Sequence, residues 1–107
     1  MVTFDEFKKL EIRVAEIKSA ADHPNANKLT VMQIDVGGEQ KQIVAGIRGH
    51  YSNEELVGKK IVVVNNLAPA KLRGVESNGM ILAAVAGDGA VVLLVPDKDV
   101  PAGTAVQ

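Results

Sequence analysis

The residues best suited to bind a ligand are cationic side chains in the middle of the chain. Residues 41–73 contain six Lys or Arg and two Asp or Glu, a local charge of +4, whereas the whole chain carries -1. The local field, more than the net charge, determines where a polyanion docks, and Lys and Arg supply its phosphate contacts. The segment favours a polyanionic ligand, with a solvated basic face as the alternative. The six cations are Lys41, Arg48, Lys59, Lys60, Lys71 and Arg73.

Residues that would support catalysis or hold a metal are sparse. Cysteine is absent, which excludes a disulfide framework and a thiolate metal site. His23 and His50 are isolated from each other and are predicted to be ordinary loop residues. Residues 74–79 resemble a nucleophile elbow but have one residue too many before Ser77. We therefore expect a non-enzymatic chain with no cofactor and no metal.

Apolar alternation predicts a chain dominated by strands, with two short helices. Thr3 and Glu6 have the spacing of a capping box, and Ser52 begins a second helical segment that Gly58 ends. Gly37-Gly38 and Asp88-Gly89 predict tight turns. The predicted strands begin at Ile12 and then cover Leu29–Val36, Gln42–Ala45, Ile61–Val64, Met80–Ala86 and Val91–Val95.

Five strands with a helix between the third and the fourth follow the order of the OB-fold, a partly open barrel that binds oligonucleotides. An SH3-like barrel or a small sandwich would give a similar pattern. The chain after Asp88 exceeds a minimal OB barrel and is predicted to form an extra hairpin that covers an edge or pairs with a second copy. We expect residues 1–107 to form one all-β domain.

Residues 66–84, Asn-Leu-Ala-Pro-Ala-Lys-Leu-Arg-Gly-Val-Glu-Ser-Asn-Gly-Met-Ile-Leu-Ala-Ala, resemble the signature of the tRNA-binding domain family. Residues 10–15, 43–48 and 51–60 agree with the same family, as does His23-Pro24 followed by Lys28-Leu29. The resemblance implies an OB barrel that binds the outer corner of folded tRNA with little preference among tRNA species. Members include the C-terminal domain of methionyl-tRNA synthetase, so that synthetase is an implied partner, and free-standing homodimers.

The resemblance places RNA contacts on five residues of the signature, with Ser77 as a hydrogen-bond donor and Met80 as an apolar surface. Lys28, Lys41, Arg48, Lys59 and Lys60 would extend this surface if their strands line one side of the barrel. Family members often carry a basic residue where this chain has Ala70, so one phosphate contact is missing here. The five signature residues are Asn66, Lys71, Arg73, Ser77 and Met80.

Aromatic residues are too few for binding to bare single strands. Only Phe4, Phe7 and Tyr51 are aromatic, and the apolar side of the first helix accounts for both Phe residues. Proteins that hold single strands stack successive bases on aromatic rings. The chain is therefore predicted to bind structured RNA through its shape, backbone and 2′-hydroxyl groups.

The sequence is also compatible with two other functions. A dimeric secretion-type chaperone that binds unfolded polypeptide is similar in fold and pattern, although that group lacks the full run from Arg73 to Met80. A purely structural dimerisation domain is the third alternative. For the leading reading we expect a homodimer built from the N-terminal helix and the final hairpin. No apolar run approaches the roughly 20 residues that span a bilayer, and no signal segment is recognised, which favours a cytoplasmic protein without membrane attachment.

Overall fold

The structure, a computed structural model, describes residues 1–107, most of which lie in short strands or in the turns between them. Two single-turn helices occur, α1 Phe4–Phe7 and α2 Asn53–Leu56. α1 begins with the predicted capping box of Thr3 and Glu6, and the predicted helix start at Ser52 is also a capping box, formed with Glu55. In order along the chain the elements are α1 Phe4–Phe7, β1 Ile12–Asp22, β2 Thr30–Asp35, β3 Gln40–Ala45, α2 Asn53–Leu56, β4 Lys60–Val64, β5 Ala70–Leu72, β6 Val75–Ser77, β7 Met80–Ile81, β8 Ala83–Val85, β9 Val91–Leu93 and β10 Ala105–Val106.

The barrel consists of five antiparallel strands in the order β3-β2-β1-β4-β7. Its two ends approach each other because the backbone N–H of Asn78 donates to the carbonyl of Gln42 over 2.8 Å. The helix α2 lies between β3 and β4, as the OB-fold order requires. The predicted all-β, OB-type barrel is confirmed.

Side-chain alternation along the strands produces the core. In β2 every second residue is fully buried, namely Thr30, Met32 and Ile34. Ile43 from β3 and Ile61 from β4 meet them in the interior. Alternation with period two sends one set of side chains inward and the other outward, so one face of each strand remains available for surface chemistry.

The C-terminal third differs from the prediction in detail. The predicted strand Met80–Ala86 is broken: β7 pairs with β4, whereas β8 leaves the barrel and pairs with β9 in a separate hairpin. The extra hairpin is confirmed, but its first strand comes from the end of the predicted fifth strand. The tail after Pro101 also pairs again, since β10 lies along β1 with Val106 opposite Ile12. Neither helix, at four residues each, has the length or hydropathy of a membrane-spanning segment.

Candidate nucleic-acid interface

The segment between the predicted strands Ile61–Val64 and Met80–Ala86 contains a small hairpin, β5–β6, that lies outside the five-stranded barrel. Its two-residue turn is Arg73-Gly74, with φ angles of 53° and 89°. Positive φ at both central residues characterises the type I′ turn, whose twist matches that of the flanking strands. All three residues of β5 are exposed, and so is Arg73. Lys71 and Arg73 therefore extend into solvent, without a carboxylate oxygen within 4.0 Å of either charged group.

The base of the hairpin is held against β3 by Ser77. Its side chain is only 4% exposed, its hydroxyl accepts the backbone N–H of Val44 over 2.9 Å, and it donates to the carbonyl of Gly79 over 3.0 Å. The hydroxyl proton is thus already engaged. The prediction that Ser77 donates to RNA does not fit this structure, in which the residue instead positions the hairpin.

Asn66 anchors the loop that leads into the hairpin. Its side-chain oxygen accepts the backbone N–H of Glu11 over 2.8 Å, and its amide nitrogen donates to the carbonyl of Lys9 over 2.7 Å. The neighbouring Asn65 donates to the Glu11 carboxylate over 2.9 Å. This hydrogen bond, together with the nearby Arg13, outweighs desolvation and lowers the pKa of Glu11. Asn66 therefore positions this loop, while its exposed amide nitrogen keeps a second N–H that no atom of the chain accepts.

A second loop, residues 24–28, lies beside the hairpin tip. Lys28 and Arg73 line the same shallow cavity of about 320 Å³, together with Asn25, Ala26 and Asn27. Lys28 is exposed and has no acidic partner within 4.0 Å. The structure therefore brings Lys28 to the hairpin cations, although 45 positions separate it from Arg73 in the chain.

The other predicted cations do not extend this surface. Arg48 contacts Asp22 at 3.1 Å and donates to the carbonyl of Ala26 over 3.4 Å, so it supports the 24–28 loop instead of facing a ligand. Lys59 lies over the ring of Tyr51 beside α2, with 5.8 Å between its amine and the ring centroid.

Lys41 and Lys60 are both held by contacts within the chain. Lys41 donates to the carbonyl of Asn65 over 2.8 Å and lies 3.6 Å from Glu39. Lys60 contacts the Asp99 carboxylate at 2.7 Å and the carbonyl of Val100 at 2.6 Å. Because intrachain acceptors hold Lys41, Arg48 and Lys60, these three cations are less available to a ligand than the cations at the hairpin. The free cations near the hairpin are Lys28, Lys71 and Arg73.

Met80 lies at the edge of an apolar groove behind the hairpin. Its side chain is 48% exposed, which contradicts a purely core role. The groove has a volume of about 410 Å³ and is lined almost entirely by hydrophobic residues of β3, β7, β8 and β9. An exposed thioether at the edge of this groove offers an apolar contact to a ligand.

Sequence reasoning missed His23 as a component of this site. The side chain is 3% exposed, and its Nε2 lies 2.9 Å from the carbonyl oxygen of Leu72, at the hairpin tip. In the sequence, His23-Pro24 agreed with the family resemblance, but the residue itself was predicted to be an ordinary loop residue. The contact spans 49 positions, which no local pattern reveals.

Comparison with known proteins places these features in a common context. A family model described as a putative tRNA binding domain matches residues 12–105. The methionine–tRNA ligase of Methanococcus aeolicus is 53% identical over 106 residues, which cover 99% of this chain and 16% of that protein. The ligase of Pyrococcus furiosus is 50% identical over 106 residues, or 99% of this chain and 14% of that protein. The chain thus spans about one sixth of these relatives.

Two solved structures have nearly the same fold over the whole chain. A MetRS-related protein from Pyrococcus horikoshii has a TM-score of 0.93 and 39% identity, covering 100% of this chain and 98% of that one. The chaperone CsaA from Bacillus anthracis has a TM-score of 0.91 and 33% identity, covering 100% and 99%. Chains of this size and fold therefore include both a protein described as MetRS-related and a protein described as a chaperone.

Proposed function

Since the chain belongs to the tRNA-binding domain family, we propose that its 107 residues act as one module that binds folded tRNA, largely independently of tRNA sequence. The supporting observation is the β5–β6 hairpin, which carries two unpaired cations into solvent next to Lys28. Cations held on a rigid hairpin match phosphates whose spacing is fixed by a folded polynucleotide. The module would serve a methionine–tRNA ligase as an accessory domain, or act as a free-standing cytoplasmic chain.

The composition of the surface supports recognition of the RNA backbone. Neither the hairpin nor the 24–28 loop contains an aromatic residue. Base stacking, which dominates binding to bare single strands, therefore has no platform near these cations. Phosphate and ribose contacts carry little sequence information, so different tRNA species should bind alike.

The proposal is tested by filter binding with four RNAs and one DNA at a single salt concentration. We expect two unrelated tRNAs to bind within about threefold of each other, because backbone contacts do not depend on sequence. A tRNA whose D and T loops are altered so that they cannot pair, and single-stranded DNA of equal length, should bind at least about fivefold more weakly. A scrambled RNA of equal length controls for charge. Equal affinity for all five ligands would contradict recognition of folded tRNA.

A second candidate function is binding of unfolded polypeptide, since the chain is similar to the chaperone CsaA and has an apolar groove beside Met80. The same assay distinguishes the two functions when a reduced, unfolded protein is added as competitor. We expect the unfolded protein not to reduce the amount of tRNA that the chain binds. Polypeptide binding without tRNA binding would reverse the order of the two functions.

We also propose that the chain forms a homodimer through α1 and the β8–β9 hairpin. No residue of α1 is buried, and Phe4 is 72% exposed, so the helix does not bury its apolar side against the barrel as its pattern predicts. Val85 and Val92 on the hairpin are 71% and 52% exposed. Exposed apolar patches of this kind mark interaction surfaces.

Light scattering at micromolar concentration should give twice the chain mass of 11.3 kDa. Replacing Val85 and Val92 together with Asp should give monomers, because charges buried at an interface are unfavourable. Val57→Asp, at an equally exposed position in neither patch, is the control and should leave the dimer intact. A wild-type mass near 11.3 kDa would exclude the dimer.

A further inference from the structure

His23 is fixed by two hydrogen bonds that determine its tautomer. The backbone N–H of Asn25 can only donate, so Nδ1 of His23 accepts it, over 2.9 Å. The carbonyl of Leu72 can only accept, so Nε2 carries the proton and donates to it, over 2.9 Å. One buried ring therefore joins the 24–28 loop to the tip of the β5–β6 hairpin.

The bond to Leu72 acts directly next to a strained residue. Arg73, the following residue, has a φ of 53°, in the left-handed region that suits Gly or Asn better than Arg. Strain of this kind persists only where the surroundings over-determine the backbone. The carbonyl of Leu72 has a fixed direction because His23 holds it, and this direction in turn sets where the Arg73 side chain leaves the hairpin.

The 24–28 loop is held from its other side as well. Arg48 donates to the carbonyl of Ala26 and contacts Asp22, so the loop is fixed between Arg48 and His23. Lys28 emerges from this loop and lines one cavity with Arg73. Both cations line this space of about 320 Å³, which is large enough for a phosphate group, and Asn25 and Asn27 are further polar residues in its lining.

We infer that His23 is a positioning residue for RNA binding: it locks the hairpin tip to the 24–28 loop so that Arg73 and Lys28 grip one phosphodiester together. The inference rests on the proposed function, which it deepens by adding a second loop to the RNA surface. His23 itself does not touch the RNA, because its ring is buried and both nitrogens are engaged.

Two substitutions separate the two hydrogen bonds of His23. In His23→Gln the side-chain amide reproduces the Nε2 donor to Leu72, whereas in His23→Asn the side-chain oxygen reproduces the Nδ1 acceptor for Asn25 and the tie to the hairpin is lost. Both variants remove the ring from the same site, so their losses of stability should be similar. We expect His23→Asn to bind tRNA about fivefold more weakly than His23→Gln, with a salt dependence shallower by about one phosphate contact.

Backbone ¹⁵N relaxation of the free protein provides a measurement that does not depend on RNA. In His23→Asn the order parameters of Arg73 and Gly74 should fall below about 0.6, whereas His23→Gln should keep them near the value of about 0.85 for rigid backbone. If wild-type protein binds no tRNA but this contrast holds, the proposed function fails and the joint grip on a phosphodiester fails with it, whereas the ordering of the hairpin tip by His23 stands. Equal tip rigidity in both variants, or equal tRNA affinity with similar melting temperatures, would overturn the inference.

Discussion

Replacing Lys71 and Arg73 together with alanine is expected to weaken tRNA binding at least about tenfold, or about 1.4 kcal/mol. Both side chains are exposed and neither has an acidic partner, so their removal takes away phosphate contacts without breaking an intrachain ion pair. Each phosphate contact releases counterions when the complex forms. Binding without these two contacts therefore releases fewer of them, and the slope of log affinity against log salt should become shallower by roughly 1.5. The melting temperature should stay close to wild type, since neither side chain contributes to the core.

The measurement is a gel-shift series with one tRNA at several salt concentrations, accompanied by thermal melts. Lys9→Ala combined with Lys98→Ala is the matched control, because it removes the same charge from exposed positions after α1 and in the C-terminal segment, again without breaking an intrachain ion pair. The control should bind nearly as wild type does. Unchanged affinity and slope in the hairpin variant would show that RNA binds elsewhere. Equal losses in both variants would show that only total charge matters.

The fold was predictable because its determinants are local. The capping boxes at Thr3 and Ser52 involve residues three positions apart, and Gly37-Gly38 adopts the positive φ angles, 71° and 97°, that a tight turn between β2 and β3 needs. Apolar alternation along β2 specifies which face is buried. Such signals lie within a few residues of each other, so a single sequence displays them.

The candidate site was only partly predictable because its supporting contacts connect distant residues. Whether a cation faces solvent or an acceptor depends on which segments pack beside it. Lys60 forms an ion pair with Asp99, 39 positions away, whereas Lys71 has no acidic partner. Asn66 and Ser77 have residue types suited to binding RNA, yet they bond Glu11 and Val44, at separations of 55 and 33. A polar residue in a signature loop is equally suited to positioning and to binding, and only the packed structure separates the two roles.

Gly103→Ala is expected to destabilise the barrel by about 3 kcal/mol, since a left-handed φ costs roughly 1–2 kcal/mol and overpacking roughly 1–3 kcal/mol. Gly103 has a φ of 94°, and a Cβ there would lie 2.8 Å from the Cα of Gly37, which is backbone and cannot rotate away. Its N–H donates to the carbonyl of Val14 over 2.6 Å, so a shift would also strain the attachment of the C-terminal segment to β1. The melting temperature should fall by roughly 15 °C.

Gly89→Ala is the matched control, because Gly89 has a φ of 90° but no atom within 4 Å of the added Cβ. Gly89→Ala should lower the free energy of unfolding only by the cost of the left-handed φ, about 1–2 kcal/mol. The difference in stability between the two variants then measures the steric clash at Gly103. Equal melting temperatures would contradict close backbone packing at Gly103.

The same variant tests whether barrel stability and RNA binding are separable. The hairpin is anchored to β3 through Ser77 and to the 24–28 loop through His23, and neither anchor involves the C-terminal segment around Gly103. At a temperature well below its transition, Gly103→Ala should therefore bind tRNA within about twofold of wild type, because only the folded population binds. The hairpin variant should show the reverse, full stability with weak binding. If Gly103→Ala lost affinity in proportion to its stability while still folded, the hairpin would depend on the barrel as a whole, and its own anchors would not be sufficient to position Lys71 and Arg73.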